Sequence, residues 1–256
     1  MTNLLVVDIG NTTTKVGLWN GATIEDVSVT PTDDHPRWDS AAGPLFGRVA
    51  RAPAAPVAIC SVVPEAEAAL VRWGERQGKT PFLLRGDTPA PLVNLYRTPG
   101  QLGPDRLAAA VAAAHRFGAP VIVASLGTAV VVDAVSPARE YLGGAIWVGI
   151  TPGMDALFER AAMLPRISQR PPTTPIGGDT EECLLAGAFH GTASLVEGLA
   201  ARMRESLGNA PLVLTGGDAV VVSLFLRAEH EVVPHLTLEG TALIWERYRE
   251  PLHASR

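Results

Sequence analysis

Between positions 8 and 15 the sequence reads Asp-Ile-Gly-Asn-Thr-Thr-Thr-Lys. Asp8, Asn11, Thr12, Thr13, Thr14 and Lys15 crowd a carboxylate, an amide, hydroxyls and an ammonium into one short turn. Gly10 and Asn11 tolerate the positive φ that a tight turn requires. A turn that exposes backbone N–H groups, hydroxyls and a lysine ammonium can hold a triphosphate. An aspartate at its mouth suits Mg²⁺ held through water, because Mg²⁺ keeps most of its hydration shell. The glycine spacing fits neither a P-loop nor a dinucleotide fingerprint. The plainer reading is a polar β-turn whose aspartate bonds its own backbone.

A second candidate lies in Gly103-Pro104-Asp105-Arg106. Asp105 falls in the first turn of an expected helix, where the helix dipole favours a carboxylate. A carboxylate delivered from a loop to a helix start can also act as a general base. Val121 to Val135 repeats the opening pattern, with Gly127 matching Gly10 and Ser125 matching Asp8. Such a recurrence would set two phosphate-gripping hairpins on opposite sides of a cleft. Gly143-Gly144 reads as a turn or a close approach of backbone to ligand. Thr215-Gly216-Gly217-Asp218 is a further glycine turn that could face a nucleotide. The histidines show no metal-ligand spacing, so no zinc site is expected.

The elements that must position these residues follow from hydrophobic period. Leu4 to Val7 is a continuous apolar run, as in a strand buried on both faces, and Val16, Leu18 and Trp19 restart the pattern across a hairpin. Residues 20 to 56 are polar and proline-rich, with a strand-like snatch from Thr23 to Val29 and a linker bracketed by Pro53 and Pro56. Val57 to Val63 is a second buried strand, and Glu65 to Gln77 has helical spacing. Asp105 to Phe117 is an alanine-rich helix. Met154 to Leu164 reads as an amphipathic helix, and Asp179 or Thr180 caps a longer one through Cys183 to about Arg204. A last helix is expected from Gly240 to about Arg249. Strands alternating with helices give an α/β class, with lobes over 1–117 and 118–256.

Composition narrows the partners. The chain has 256 residues, 47% hydrophobic and 18% charged, ordinary for a soluble globular protein. A net charge of −5 argues against a nucleic-acid surface. Cys60 and Cys183 do not make a disulfide framework, and the cytoplasm is the expected location. No uninterrupted apolar run of about 18 residues appears, so no membrane span is expected.

Taken in order, Asp8 to Lys15, Cys60-Ser-Val-Val-Pro64, Gly103 to Arg106, Gly127-Thr-Ala129, Gly143-Gly-Ala-Ile146, Leu164-Pro165, Thr215-Gly-Gly217 and Leu238-Glu-Gly240 span nearly the whole chain. In this set the chain resembles the type III pantothenate kinases, members of the acetate and sugar kinase and actin superfamily. The resemblance implies two ribonuclease-H-like (actin-like ATPase) lobes, each a mixed sheet flanked by helices, with a cleft between them, and a homodimer. It implies transfer of phosphate from ATP to the terminal hydroxyl of pantothenate, the first step toward coenzyme A. Residues 8 to 15 would bind the ATP phosphates, with Asp8 on the Mg²⁺ side and Lys15 solvated. Asp105 would be the catalytic base. Arg106 would meet the substrate carboxylate, with Tyr96, Gly103 and Pro104 lining the same pocket. Thr128 would contact ATP, and Thr180 the substrate.

The chain departs from the family pattern in one region. Ser125 stands where an aspartate usually coordinates potassium or ammonium, so potassium dependence is in question. Val130, Val131 and Val132 lead to Asp133 where a threonine is usual, and Val148 replaces a proline. A second reading is therefore a non-catalytic paralogue that binds nucleotide and regulates a partner. A third is a kinase for another small hydroxyl compound. Retention of Asp8, Asp105 and Arg106 weighs against the second; Tyr96 and the 103–106 loop weigh against the third.

Overall fold

The computed structural model describes residues 3–38, 55–161 and 163–249. Strands β1 (Leu4–Ile9) and β2 (Thr13–Trp19) form the expected antiparallel hairpin. β3 (Ile24–Pro31) continues it, while β4 (Val57–Ser61) runs parallel to β1 and β5 (Phe82–Leu84) parallel to β4. The sheet order is β3-β2-β1-β4-β5. β4 stops two residues short of the expected Val63, because helix α1 (Pro64–Arg76) starts with Pro64 in its first turn. Of the expected linker, Pro53 lies outside the described residues.

Alternation along the strands decides which side chains face which helix. Leu5, Val7, Ile9, Val16, Val57 and Ile59 pack with Ala66, Leu70 and Trp73 of α1. Leu4, Val6, Trp19 and Ala58 pack on the other face, against Leu238 and Ala242 of helix α6 (Leu236–Arg249). Asp8, Lys15 and Cys60 share the parity of this second face. The loop after β5 holds a two-residue strand β6 (Val93–Asn94) and leads into α2 (Pro104–Phe117). Residues Arg106 to Ala114 of α2 are all buried, as expected for a helix apolar on every side.

The second unit repeats the plan. β7 (Val121–Leu126) and β8 (Ala129–Val135) are an antiparallel hairpin, β9 (Glu140–Val148) continues it, and β10 (Leu212–Thr215) runs parallel to β7. β11 (Glu231–Val232) pairs parallel with β10, giving β9-β8-β7-β10-β11 within this unit. The order and directions match β3-β2-β1-β4-β5, so the recurrence read in the sequence is a repeated sheet. Ile122, Ala124, Leu126, Val130 and Val132 meet α3 (Ile150–Arg160), α4 (Thr180–Leu207) and α5 (Ala219–Ser223) in one core. Among the described residues α4 is the helix long and apolar enough to cross a bilayer. Leu185, Phe189, Ala193, Val196 and Ala200 are buried in the core at helical period, so α4 is a core helix.

Three expectations need correction. The chain divides at Arg116/Phe117, but residues from His235 onward belong to the first unit and not to a lobe running from 118 to the end. The reason is α6, whose Leu238 and Ala242 complete the core beneath Leu4 and Val6. That helix also starts at Leu236, a full turn before Gly240. Gly143-Gly144 is no turn: both lie inside β9. Gly143 takes φ +93° beside a register shift at Ala134/Val135, and a Cβ on Gly144 would run into the carbonyl of Val132. The missing side chain of Gly144 makes room for Asp133, whose Oδ1 accepts from Tyr141 Oη at 2.9 Å in the core.

At Gly240 the backbone of α6 comes hard against α2: a Cβ there would collide with the carbonyl oxygen of Ala108. An ordinary helix-interior glycine gains roughly 0.5–1 kcal/mol on conversion to alanine. Here the backbone of α2 must move instead, at about 1–3 kcal/mol. Gly240→Ala is expected to lower the melting temperature by several degrees. A melting temperature equal to or above that of the unsubstituted protein would rule out the close approach.

Candidate active site

Asp8 is the last but one residue of β1, directly opposite Lys15 of β2 and beside Cys60 of β4. Burial pushes the Asp8 carboxyl up to about 6; Lys15 opposes the rise and Asp105 adds to it. Asp8 keeps a partly exposed edge. The Cys60 thiol is pushed up by burial first and then by Asp8 and Asp105, while a hydrogen bond with Thr241 of α6 works against the rise. Lys15 is half-buried rather than simply solvated, and its charge bears on both Asp8 and His235.

Asp105 reaches this group from the first turn of α2. The Gly103 carbonyl accepts from the N–H of Arg106 at 3.1 Å and so opens the helix. A Cβ on Gly103 would stand 2.5 Å from Asp105 Oδ1, so glycine leaves the space that the carboxylate uses. Pro104 is the first helical residue, where a missing N–H costs nothing. Arg106 is buried, with its guanidinium 5.4 Å from the centre of the Tyr96 ring. Tyr96 is held in turn, since its N–H donates to Asn94 Oδ1 and Asn94 Nδ2 donates to the Gly86 carbonyl, each at 2.9 Å. The far end of α2 is fixed by Arg116, whose Nε lies 2.8 and 2.7 Å from the two carboxylate oxygens of buried Glu239.

The β1–β2 turn is knitted from behind. Gly10 N–H donates to the Thr13 carbonyl at 3.1 Å, and Thr32 N–H to the Thr12 carbonyl at 3.0 Å. Thr32 Oγ1 donates to the Gly10 carbonyl at 2.7 Å and lies 3.0 Å from Thr14 Oγ1. The Ile9 side chain is in the core, which leaves only its backbone for a ligand. Asn11 and Thr12 are exposed at the tip.

The first unit thus brings together Asp8, Lys15, Asp105, Gly103, Arg106 and Tyr96 from three separate stretches of sequence. The remaining candidates belong to the second unit. Thr128 is exposed in the β7–β8 turn, where its carbonyl accepts from the Gly149 N–H at 3.0 Å. Ser125 sits on β7 between Val131 of β8 and Thr215 of β10. Thr180 is exposed as the first residue of α4, and the capping role falls to Asp179, whose Oδ1 accepts from Glu182 N–H at 2.8 Å. In the glycine turn after β10, Gly216 adopts φ +100° and burial raises the Asp218 carboxyl. Thr32, Thr241 and His235 had no signal in the sequence. Each reaches the group through pairing or packing of segments distant in the chain, and nothing in their local spacing marks them. His235 precedes α6; burial and Lys15 lower its pKa, and its Nδ1 is buried with no hydrogen-bond partner among the described residues.

The sequence profile of the type III pantothenate kinases matches residues 4–202. A type III pantothenate kinase of Anaeromyxobacter sp. (strain Fw109-5) is 39% identical over 254 residues, covering 96% of this chain and all of the relative. The type III pantothenate kinase of Myxococcus xanthus is 36% identical, covering 95% of this chain and 98% of its own. Solved structures show the fold. One, described as a conserved putative Baf family transcriptional activator from Campylobacter jejuni, superposes with TM-score 0.63 at 18% identity over 96% of this chain and 98% of its own. MreB 5 of Spiroplasma citri bound to AMPPNP gives 0.56 at 11% identity over 100% and 99%. The architecture is that of the actin-like ATPases. With relatives this similar over their full length, the chain belongs to the type III pantothenate kinases, enzymes that use ATP to phosphorylate pantothenate.

Proposed function

We propose that the β1–β2 turn, residues 8 to 15, holds the ATP phosphates and that Asp105 takes the proton from the attacking hydroxyl of pantothenate. One observation carries this reading: Asp105, from a distant helix, lies near enough to Asp8 to raise its carboxyl. Phosphoryl transfer needs an in-line hydroxyl, a carboxylate within hydrogen-bond reach and positive charge or N–H donors on the γ-phosphate. Asp105 is the carboxylate. Lys15 and the N–H groups of the turn meet the phosphate charge. Arg106 receives the pantothenate carboxylate in a two-toothed geometry, with its guanidinium 5.4 Å from the centre of the Tyr96 ring. Gly103 and Pro104 form the wall beside it.

Two neighbouring carboxylates, one of them resisting ionisation because of burial, fit a bound cation. Asp8 would hold Mg²⁺ through water, and the ion would neutralise the phosphate oxygens. Thr128 is assigned to ATP and Thr180 to the substrate on the family likeness. On the same ground the protein works as a cytoplasmic homodimer. At the monovalent-cation position Ser125 keeps an oxygen ligand and loses a full charge, so potassium dependence is weak.

A coupled ADP-release assay with ATP, Mg²⁺ and pantothenate, set against sugars and acetate, tests the substrate. Asp105→Asn is expected to leave ATP binding nearly intact and to cut turnover on the order of 10²-fold or more. Unchanged turnover would remove Asp105 from the mechanism. Ser125→Asp is expected to steepen the activity difference between potassium and sodium, and overlaying curves for the two proteins would dismiss the cation role.

The raised Asp8 carboxyl has a defined sign in stability. Between pH about 4 and 6 the folded protein holds a proton that the unfolded chain has lost. Stability from this group is therefore present at low pH and lost as pH rises through the folded value. In metal-free buffer Asp8→Asn is expected to stabilise the protein at pH 7.5, by up to roughly 2–3 kcal/mol, with the gain vanishing near pH 4. A gain that does not change with pH would show that the Asp8 carboxyl is not raised.

A further inference from the structure

We infer that Thr32 is a positioning residue for phosphate transfer, acting through the backbone of the β1–β2 turn. The inference rests on the turn being the phosphate cradle. Thr32 lies just after β3, in none of the motifs that mark the family, and is 3% exposed. Its N–H donates to the Thr12 carbonyl at 3.0 Å, and its Oγ1 donates to the Gly10 carbonyl at 2.7 Å. Its one hydroxyl proton is thereby used. The 3.0 Å contact with Thr14 Oγ1 is then a bond in which Thr14 donates. Thr14 is itself fully buried, so the hydroxyl pair is sealed from water.

The peptide plane turns these bonds into an aim. In a trans peptide the N–H points opposite to the carbonyl. Holding the Gly10 carbonyl on Thr32 Oγ1 sends the Asn11 N–H the other way, and holding the Thr12 carbonyl on Thr32 N–H does the same for the Thr13 N–H. One residue thus directs two donors of the turn. It does so from the back: Thr14 has the parity of the α1 face, whereas Asp8 and Lys15 have that of the α6 face. Thr32 touches none of the reacting groups, and its effect is to fix where the N–H groups of the turn point before ATP arrives.

The test compares Thr32→Val, which keeps shape and removes the hydroxyl, with Thr32→Ser, which keeps the hydroxyl. Thr32→Ala serves if the valine variant does not fold. Thr32→Val is expected to raise KM for ATP about 10-fold and to lower kcat, with KM for pantothenate within about 2-fold of the parent. Thr32→Ser is expected to restore both. Lys15→Ala, on the turn itself, is measured alongside. A large rise in KM for ATP in Lys15→Ala with none in Thr32→Val overturns the role of Thr32 and leaves the cradle standing. No rise in either overturns the cradle, and Thr32 with it. Equal rises in both KM values, failure of serine to rescue, or loss of fold in both the valine and alanine variants makes Thr32 a residue of the fold alone.

Discussion

Two carboxylates of like charge, Asp8 and Asp105, are held near each other where burial already penalises ionisation. Left to themselves they would separate or bind protons. The rest of the first unit works against both outcomes. Lys15 stands opposite Asp8 and favours its charged form, while the missing side chain of Gly103 leaves room for the Asp105 carboxylate at the head of α2. Burial and a like charge both disfavour the Asp8 anion, and a bound cation of the kind proposed would relieve both.

Such an arrangement needs a rigid frame, and the contact between α2 and α6 provides it. The helix backbones approach so closely at Gly240 and Ala108 that no side chain fits between them. Beyond that contact Glu239, nearly buried, meets Arg116 in a two-pronged pair. The Arg116 side chain is largely exposed, so the pair adds little net stability; its two-pronged geometry pins the end of α2 to α6. Fixing the register of α2 fixes Asp105 and Arg106, which both stand in its first turn. The same α6 packs Leu238 and Ala242 against Leu4, Val6 and Ala58, on the strands that carry Asp8 and Cys60.

What the sequence revealed was local. The opening hairpin was legible because Leu4 to Val7 is apolar without interruption and Gly10-Asn11 marks the turn. The alanine-rich run marked α2, and the family motifs marked Asp105 and Arg106. Long-range features were hidden. No periodicity tells that the last helix returns to the first sheet, since Leu238 and Ala242 would suit either core. Gly143-Gly144 read as a bend because glycine pairs usually are; here Gly144 clears space for Asp133 inside a strand, and Gly143 takes a positive φ. Thr32 sits in a polar stretch that resembles any surface loop, and only strand pairing brings it to Gly10.

The return of the C-terminal helix also sets an order of assembly. Residues 117–234 form an uninterrupted unit, whereas the first unit is split and lacks α6 until the end of the chain emerges. During synthesis the second sheet can close while the first still exposes Leu4, Val6 and Trp19 on one side. The half of the protein made first is thus the half finished last. A ribosome that stops early, or a protease that trims past His235, would leave the second unit complete and the β1–β2 turn without its supporting layer.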